Sequence, residues 1–169
     1  LWKKGLAEFE DAYFMTSGPV AGARESHRIV GDYVLTEHDV AEGRRQEDVV
    51  VLGAWRLDQH PAQAAGYHDI PWVPPYAIPF RTLLPTKLEN LLVAGRCHSA
   101  TSAALSSSRV TATSMGLGQA AGTAAALSIH QKQTPRELSL TDLQGELRSS
   151  GAILEPPPAP DSDTGNPDW

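Results

Sequence analysis

The chain has 169 residues, of which 41% are hydrophobic and 20% are charged, and its formal net charge is −6. This mild acidic balance, without a run of Lys or Arg, argues against a nucleic-acid-binding protein. The single cysteine, Cys97, excludes an internal disulfide and a CxxC metal site. No apolar run reaches the roughly 20 residues that a membrane-spanning helix requires, so we expect no membrane partner. The composition is typical of a globular protein, and the cellular compartment stays open.

The first part of the chain shows one helical and two strand-like patterns. Apolar residues within Trp2–Met15 recur at a spacing that predicts a short amphipathic helix. Arg28–Thr36 alternates in the manner of a strand, and Asp48–Leu57 predicts a second strand. The polar stretch His38–Glu47 separates them.

The middle of the chain is interrupted by proline and glycine. Gln59–Pro75 is rich in Pro, Gly, Ala and His, which predicts an irregular loop. Tyr76–Leu84 is predicted to be extended, because Pro75, Pro79 and Pro85 oppose a helix there.

The second half predicts a short strand, Leu91–Ala94, and two helices, Thr113–His130 and Ser139–Ser149. The tail Glu155–Trp169 has too little apolar content to pack and is predicted to be disordered. The whole pattern is mixed, so the fold class is α/β, or α+β for this chain taken alone.

The segment Glu89–Leu127 joins a strand, a glycine turn and a helix of small residues. Such a unit lets backbone amides approach an anion or a polar heterocycle, because a helix start presents unpaired N–H groups. Its sequences NLLVAGRCHSAT, SSRV and LGQAAGTAAAL resemble the C-terminal flavin-binding segment of FAD-dependent oxidoreductases that share the glutathione-reductase-like two-domain fold. The blocks Arg24–Val40 and Val73–Pro85 are also similar to that family, and together the resemblance covers roughly Pro19–Leu154.

The resemblance implies a division of the chain. Residues 1–82 would be the C-terminal part of a substrate-facing domain, residues 83–154 would supply the closing strand and helix of the FAD domain, and residues 155–169 would be the tail. Relatives begin with a GxGxxG turn that holds the ADP half of FAD, and no GxGxxG occurs here. We therefore expect the C-terminal part of a longer or split protein, with the missing half supplied by the same longer chain or by a partner chain. The isolated chain is expected to be inactive.

The implied function is that of a flavoprotein oxidoreductase, in which FAD exchanges a hydride with a small organic substrate between the two domains. One alternative is a non-catalytic remnant or subunit that folds only with a partner chain. Another is an NAD(P)-binding module of the Rossmann type, which the absent glycine fingerprint disfavours.

The resemblance also implies the residues that hold the cofactor. Gly95 would let FAD reach the backbone, although it is equally typical of an ordinary turn. Arg96 would contact a flavin or pyrophosphate oxygen, or pair with a carboxylate outside this chain. Amides at the start of the long helix would face the flavin N1–C2 edge, unless they belong to a merely capped helix. The candidate cofactor-binding residues are Ala94, Gly95, Arg96, Cys97, Thr113, Ser114, Met115, Gly118 and Gln119.

The candidate catalytic residues are Arg109, His60 and Arg24. Arg109 precedes the long helix and would contact the flavin or an anionic substrate. Arg81 is a further cation on the substrate side. Histidine has a pKa suited to general base catalysis, yet a lone histidine is more often structural. The spacing of the histidines indicates no metal site.

Overall fold

The computed structural model describes residues 13–20, 22–60 and 72–156. The four helices of this part are Glu37–Ala41 (α1), Ser102–Ser108 (α2), Thr111–Gln131 (α3) and Leu140–Ser149 (α4), and the two strands are Val49–Gly53 (β1) and Tyr76–Pro79 (β2). Short 3₁₀ turns lie at Phe80–Leu83, Gly95–Cys97 and Pro135–Glu137. The predicted mixture of helix and strand is confirmed.

Three predicted segments lie wholly or mainly outside the described residues. The helix within Trp2–Met15 is described only from residue 13 onward, and the tail only as far as Pro156. The loop Gln59–Pro75 lacks a description for residues 61–71. These predictions therefore stay predictions.

The sheet is a pair of antiparallel strands that supports the long helix. Val51 of β1 pairs with Ile78 of β2, and Gly53 pairs with Tyr76. The helix α3 packs against β1, and a Cβ atom at Gly116 would lie only 3.1 Å from Cγ1 of Val51. The glycine thus lets α3 approach the sheet closely, which fixes where the start of α3 lies.

One hydrophobic cluster unites the described part of the chain. It combines side chains that precede residue 83 with side chains from α2, α3 and α4, and burial of this apolar area is the main stabilising contribution. Its largest fully buried apolar members are Tyr76, Leu35, Ile78, Leu83, Leu105, Leu117, Leu143, Leu147, Val40 and Val50. The assignment of residues 1–82 and 83–154 to different domains stays a prediction.

The two predicted C-terminal helices are confirmed. The helix α3 begins two residues before the predicted Thr113 and ends one residue after His130, where Lys132 adopts a left-handed conformation with φ 55°. Ser139 caps α4, since its hydroxyl accepts a hydrogen bond from the amide of Asp142 at 3.3 Å.

Two short helices were not predicted. The helix α1 begins at Glu37, one residue before the polar stretch His38–Glu47. It starts with a capping box, in which Thr36 Oγ1 accepts from Asp39 N and Asp39 Oδ2 accepts from Thr36 N at 2.8 Å. The helix α2 lies in the Ser/Thr-rich connection, where Thr101 Oγ1 accepts from Ala104 N at 3.1 Å.

The predicted strand Arg28–Thr36 is wrong. Its backbone donates to separate segments, as Asp32 N does to Leu84 O and Leu35 N to Ser99 O. Only isolated bridges form, at Gly31 and Leu35. The alternating pattern therefore marks a segment that crosses the core rather than one strand of a ladder.

The predicted strand Leu91–Ala94 is also wrong. Val93 N donates to Leu83 O at 3.0 Å, but the segment forms no strand with any described residues. An apolar run needs a neighbouring strand before it can form a ladder.

The other two extended predictions are too long. The strand β1 ends at Gly53 rather than at Leu57, and β2 ends at Pro79 rather than at Leu84. After Pro79 the chain turns into a 3₁₀ helix, within which Thr82 Oγ1 donates to Pro79 O at 2.8 Å.

Candidate functional site

The N-terminus of α3 is open. Val110 occupies the N-cap position, and no described side chain caps the helix. The first helical hydrogen bond runs from Ser114 N to Val110 O at 2.9 Å. The N–H groups of Thr111, Ala112 and Thr113 therefore have no acceptor within the helix. They carry the partial positive charge at the start of a helix of 21 residues.

A cavity of about 620 Å³ opens at this helix start, and we call it the arginine cavity. Among the described residues, three guanidinium groups and one carboxylate line it, and helix α3 contributes its first turn. The lining residues are Arg24, Asp58, Arg96, Ser106, Arg109, Val110, Thr111, Ser114 and Met115. The sequence separation of these residues shows that the site is assembled by the tertiary fold.

Arg109 is the best positioned cation of the cavity. Its side chain is only 12% exposed, and its Nη2 donates to the backbone oxygen of Asp58 at 2.8 Å. Glu25 Oε2 lies 3.7 Å from Nη1 of Arg109. The side chains of Ser102 and then Arg28 lower the pKa of Glu25, against the opposing effect of burial. An ionised Glu25 thus helps to hold Arg109 in place.

Arg24, Asp58 and His60 meet around one ring nitrogen. His60 Nε2 lies 3.4 Å from Nη1 of Arg24 and 3.2 Å from Oδ1 of Asp58. When that nitrogen carries a proton it donates to Asp58, and when it does not it accepts from Arg24. The tautomer of His60 therefore decides which of the two neighbours forms a hydrogen bond with this nitrogen.

A second, smaller cavity of about 330 Å³ adjoins this group. It shares Arg24, Ser106 and Arg109 with the arginine cavity, and it is also lined by His60. The structure thus brings the three predicted catalytic residues together, although their roles stay predictions.

The predicted turn Ala94–Cys97 reaches the cavity through one side chain. Gly95 has φ +68°, and no heavy atom of the described residues lies within 4 Å of the position that a Cβ would occupy. The glycine is required by backbone conformation. Arg96 Nη1 donates to Ala23 O at 2.7 Å, and Arg96 lines the cavity, whereas Ala94 and Cys97 do not.

The predicted residues of α3 divide in a similar way. Ser114 and Met115 line the cavity, and Thr113 is buried in the first turn. Gly118 and Gln119 are exposed one turn further along and do not line it.

Several cavity residues were missed by sequence reasoning. Ser106 belongs to the unpredicted helix α2, and Thr111 precedes the predicted start of α3. Asp58 follows β1 directly beside the predicted His60. A capping threonine, Thr101, was the signal that could have located α2.

His98 lies beside the turn and is structural. Its Nε2 lies 2.8 Å from Oγ of Ser108 at the end of α2. Burial, assisted by the charge of Arg28, lowers the pKa of His98 to about 4. His98 Nδ1 and Ser99 Oγ have no hydrogen-bond partner among the described residues. Neutral His98 thus ties the turn to α2, and no cluster of three or more metal-binding side chains exists in the described segments.

Comparison with known proteins identifies the family. A family model described as FAD dependent oxidoreductase matches residues 1–147. The chain therefore belongs to the FAD dependent oxidoreductase family: it is a flavoprotein oxidoreductase that uses FAD and acts on a small-molecule substrate. Neither a curated protein nor a solved structure matches it significantly. Among the helices of the described ranges, none is both long and apolar enough to cross a membrane.

The arginine cavity fits part of an FAD molecule. The open start of α3 offers amide donors to a polar heterocycle edge, and Ser114 Oγ is buried without a hydrogen-bond partner in the described structure. The open space beside Gly95 admits close approach to the backbone. These features suit the electron-rich edge of a flavin ring.

Proposed function

We propose that this chain supplies the flavin-ring end of an FAD site at which a hydride passes to or from a small organic substrate. The observation that carries the proposal is the uncapped start of α3 beside the arginine cavity. Bound FAD supplies the redox chemistry, and the protein orients the cofactor and adjusts its electrostatic surroundings.

Each part of the site has a defined task in this proposal. The amides of Thr111, Ala112 and Thr113 stabilise negative charge at the flavin N1–C2 edge, because the helix start is electropositive and already ordered. Gly95 admits the cofactor to the backbone, and Arg96 donates to a cofactor oxygen. Arg109, Arg24 and His60 face the substrate.

The proposal includes a missing half that grips the ADP end of FAD. The chain contains no GxGxxG turn, and α3 presents an exposed face with Met115, Gly118, Gly122 and Ile129. No heavy atom of the described structure lies within 4 Å of a Cβ built at Gly118 or Gly122. Each glycine costs about 1 kcal/mol in a helix relative to alanine. Glycines on this exposed face therefore support the proposal that the other half packs closely against it.

The first experiment is to express the chain together with its upstream coding sequence and record the visible spectrum. We expect flavin absorbance and reduction of the flavin by substrate. No flavin absorbance, together with no uptake of added FAD, would contradict the proposal and favour a non-catalytic remnant.

A substitution at the helix start tests the assigned geometry. Val110→Asp places a carboxylate at the N-cap, where it would accept from the amides of the first turn and repel a negative flavin edge. We expect weaker FAD binding and a lower reduction potential of the bound flavin.

Thr141→Asp is the matched control, because it adds the same charge in the first turn of α4. That turn lies at the far end of α3, where Gln131 Nε2 donates to Asp142 at 3.3 Å, about 30 Å along the helix from Thr111. Equal effects of the two substitutions would contradict the assignment.

A further inference from the structure

We propose that the arginine cavity binds the carboxylate group of the substrate, so that the substrate is a small organic anion. This inference rests on the proposed function, because it names the substrate class of the same site. Its first test, however, uses no flavin, so the outcome does not depend on whether the proposed flavin site is correct.

The charge of the cavity opposes that of the whole protein. The chain carries a formal charge of −6, yet among the described residues three guanidinium groups line the arginine cavity with one carboxylate, Asp58, and a second carboxylate, Glu25, lies 3.7 Å from Nη1 of Arg109. The open start of α3 adds partial positive charge to the same wall. Such a concentration of cations favours a negative ligand over a neutral one.

Arg109 retains hydrogen-bond donors for a ligand. A guanidinium group has five N–H donors, and one of those on Arg109 is used by the backbone oxygen of Asp58 at 2.8 Å. Glu25 lies 3.7 Å from Nη1, which is beyond hydrogen-bond distance. Arg109 is therefore held firmly while it keeps donors for a carboxylate, which arginine binds in a two-point geometry.

Arg24 becomes available through His60. When the tautomer of His60 that carries hydrogen on Nε2 donates to Asp58, that nitrogen no longer accepts from Arg24. The guanidinium group of Arg24 then keeps this donor for an anion. Arg24 and Arg109 then flank the opening that the two cavities share.

Two different anionic groups of the proposed longer protein's ligands have the chemistry that these arginines bind. A phosphate group of FAD and a carboxylate of a substrate both make charge-assisted hydrogen bonds to arginine. We assign the site to the substrate, because the proposed flavin-ring position at the start of α3 places the diphosphate toward the missing half. The experiment separates the two sources.

The first arm titrates the 169-residue chain with succinate by calorimetry at low ionic strength, with succinamide as the uncharged analogue. We expect heat of binding for succinate alone, and weaker binding as salt rises, because salt screens the charges. Arg24→Gln and Arg109→Lys should each weaken binding about tenfold, which corresponds to the loss of one charge-assisted contact.

Arg148→Gln is the matched control. Arg148 is an exposed arginine of α4 that lies 3.3 Å from Glu155, and its replacement should leave succinate binding unchanged. Arg24 is exposed, so its variant tests the site even if replacement of the more buried Arg109 impairs folding. No succinate binding, or equal losses in the Arg24 and Arg148 variants, would overturn the proposal.

The second arm repeats the titration on the FAD-loaded protein that includes the upstream half. Retained succinate binding, with a change in the flavin spectrum on binding, would support a substrate site next to the ring. Loss of succinate binding on FAD loading would assign the arginines to the FAD diphosphate and overturn the substrate assignment. Succinate binding without any FAD uptake would keep the anion site and contradict the proposed function instead.

Discussion

Arg81 and Asp48 form a two-point ion pair that fastens the end of β2 to the start of β1. Arg81 Nε lies 2.9 Å from Oδ2 of Asp48 and Nη2 lies 3.0 Å from Oδ1. The backbone amide of Arg81 donates to the same carboxylate at 3.2 Å. Arg81 therefore has a structural partner, although the sequence made it a substrate-side candidate.

Replacing Arg81 should lower the stability of the fold. Arg81→Lys keeps the charge but loses the planar pair of donors, and we expect a loss of about 1–2 kcal/mol in the free energy of unfolding. Urea denaturation measures this change. Arg148→Lys, at an exposed pair with Glu155, should change stability by less than about 0.5 kcal/mol. Equal changes in both variants would show that the Asp48 pair contributes no special stability.

Gly53 makes room for an aromatic ring. A Cβ atom at Gly53 would overlap the ring of the fully buried Tyr76. We expect Gly53→Ala to lower the free energy of unfolding by about 3 kcal/mol, because the added methyl group forces β1 or the buried ring to shift.

Gly145→Ala provides the control for this substitution. Gly145 lies within α4, and in the described part of the chain no heavy atom lies within 4 Å of a Cβ built there, so alanine should raise stability by about 0.5–1 kcal/mol. The same chemical change thus has opposite signs at two sites. A stabilising Gly53→Ala would contradict the packing seen around Tyr76.

The elements that could be predicted from sequence are those fixed by local signals. The helix α3 follows from a long run of helix-compatible small residues, and α4 from Ser139 and the helical spacing of its apolar residues. The helix α2 could not be predicted in this way, because serines are weak helix formers. Its serines are held by tertiary partners: Ser107 bonds to Tyr76 Oη at 2.7 Å and Ser108 to His98.

The candidate site was predictable in its parts but not in its assembly. The glycine turn and Arg109 could be identified from their places next to a helix. The contact of Arg24 with His60, by contrast, joins residues 36 positions apart. No local sequence pattern predicts this contact, because the contact depends on how Arg28–Thr36 crosses the core instead of forming the predicted strand.

Buried His98 should make stability depend on pH. Its pKa of about 4 in the folded chain lies below the usual value of about 6.5 in an unfolded chain. Between these values the unfolded state binds more protons, so stability is complete above about pH 6.5 and falls as the pH decreases toward 4. We expect a loss of about 2 kcal/mol between pH 7.5 and pH 5, measured by urea denaturation at both pH values.

His98→Asn should remove most of this pH dependence, since asparagine does not titrate. His130→Asn is the control. His130 is an exposed residue of α3, and its replacement should leave the pH dependence of the free energy of unfolding unchanged. The carboxyl groups of Glu25, Glu37 and Glu137 have lowered pKa values, so they contribute only at more acidic pH. A His98→Asn variant with the original slope would contradict the prediction.

The exposed glycines of α3 test the proposed docking of an upstream half on this helix. In the chain alone, Gly122→Ala meets open space and should raise stability by about 0.5–1 kcal/mol. In the protein extended by its upstream half, we expect this gain to vanish or reverse, because a methyl group would separate closely packed surfaces. Thermal or urea denaturation of both forms measures the difference. Gly145→Ala, on α4, should be stabilising in both, and an equal gain from Gly122→Ala in both forms would contradict docking of the missing half on this face.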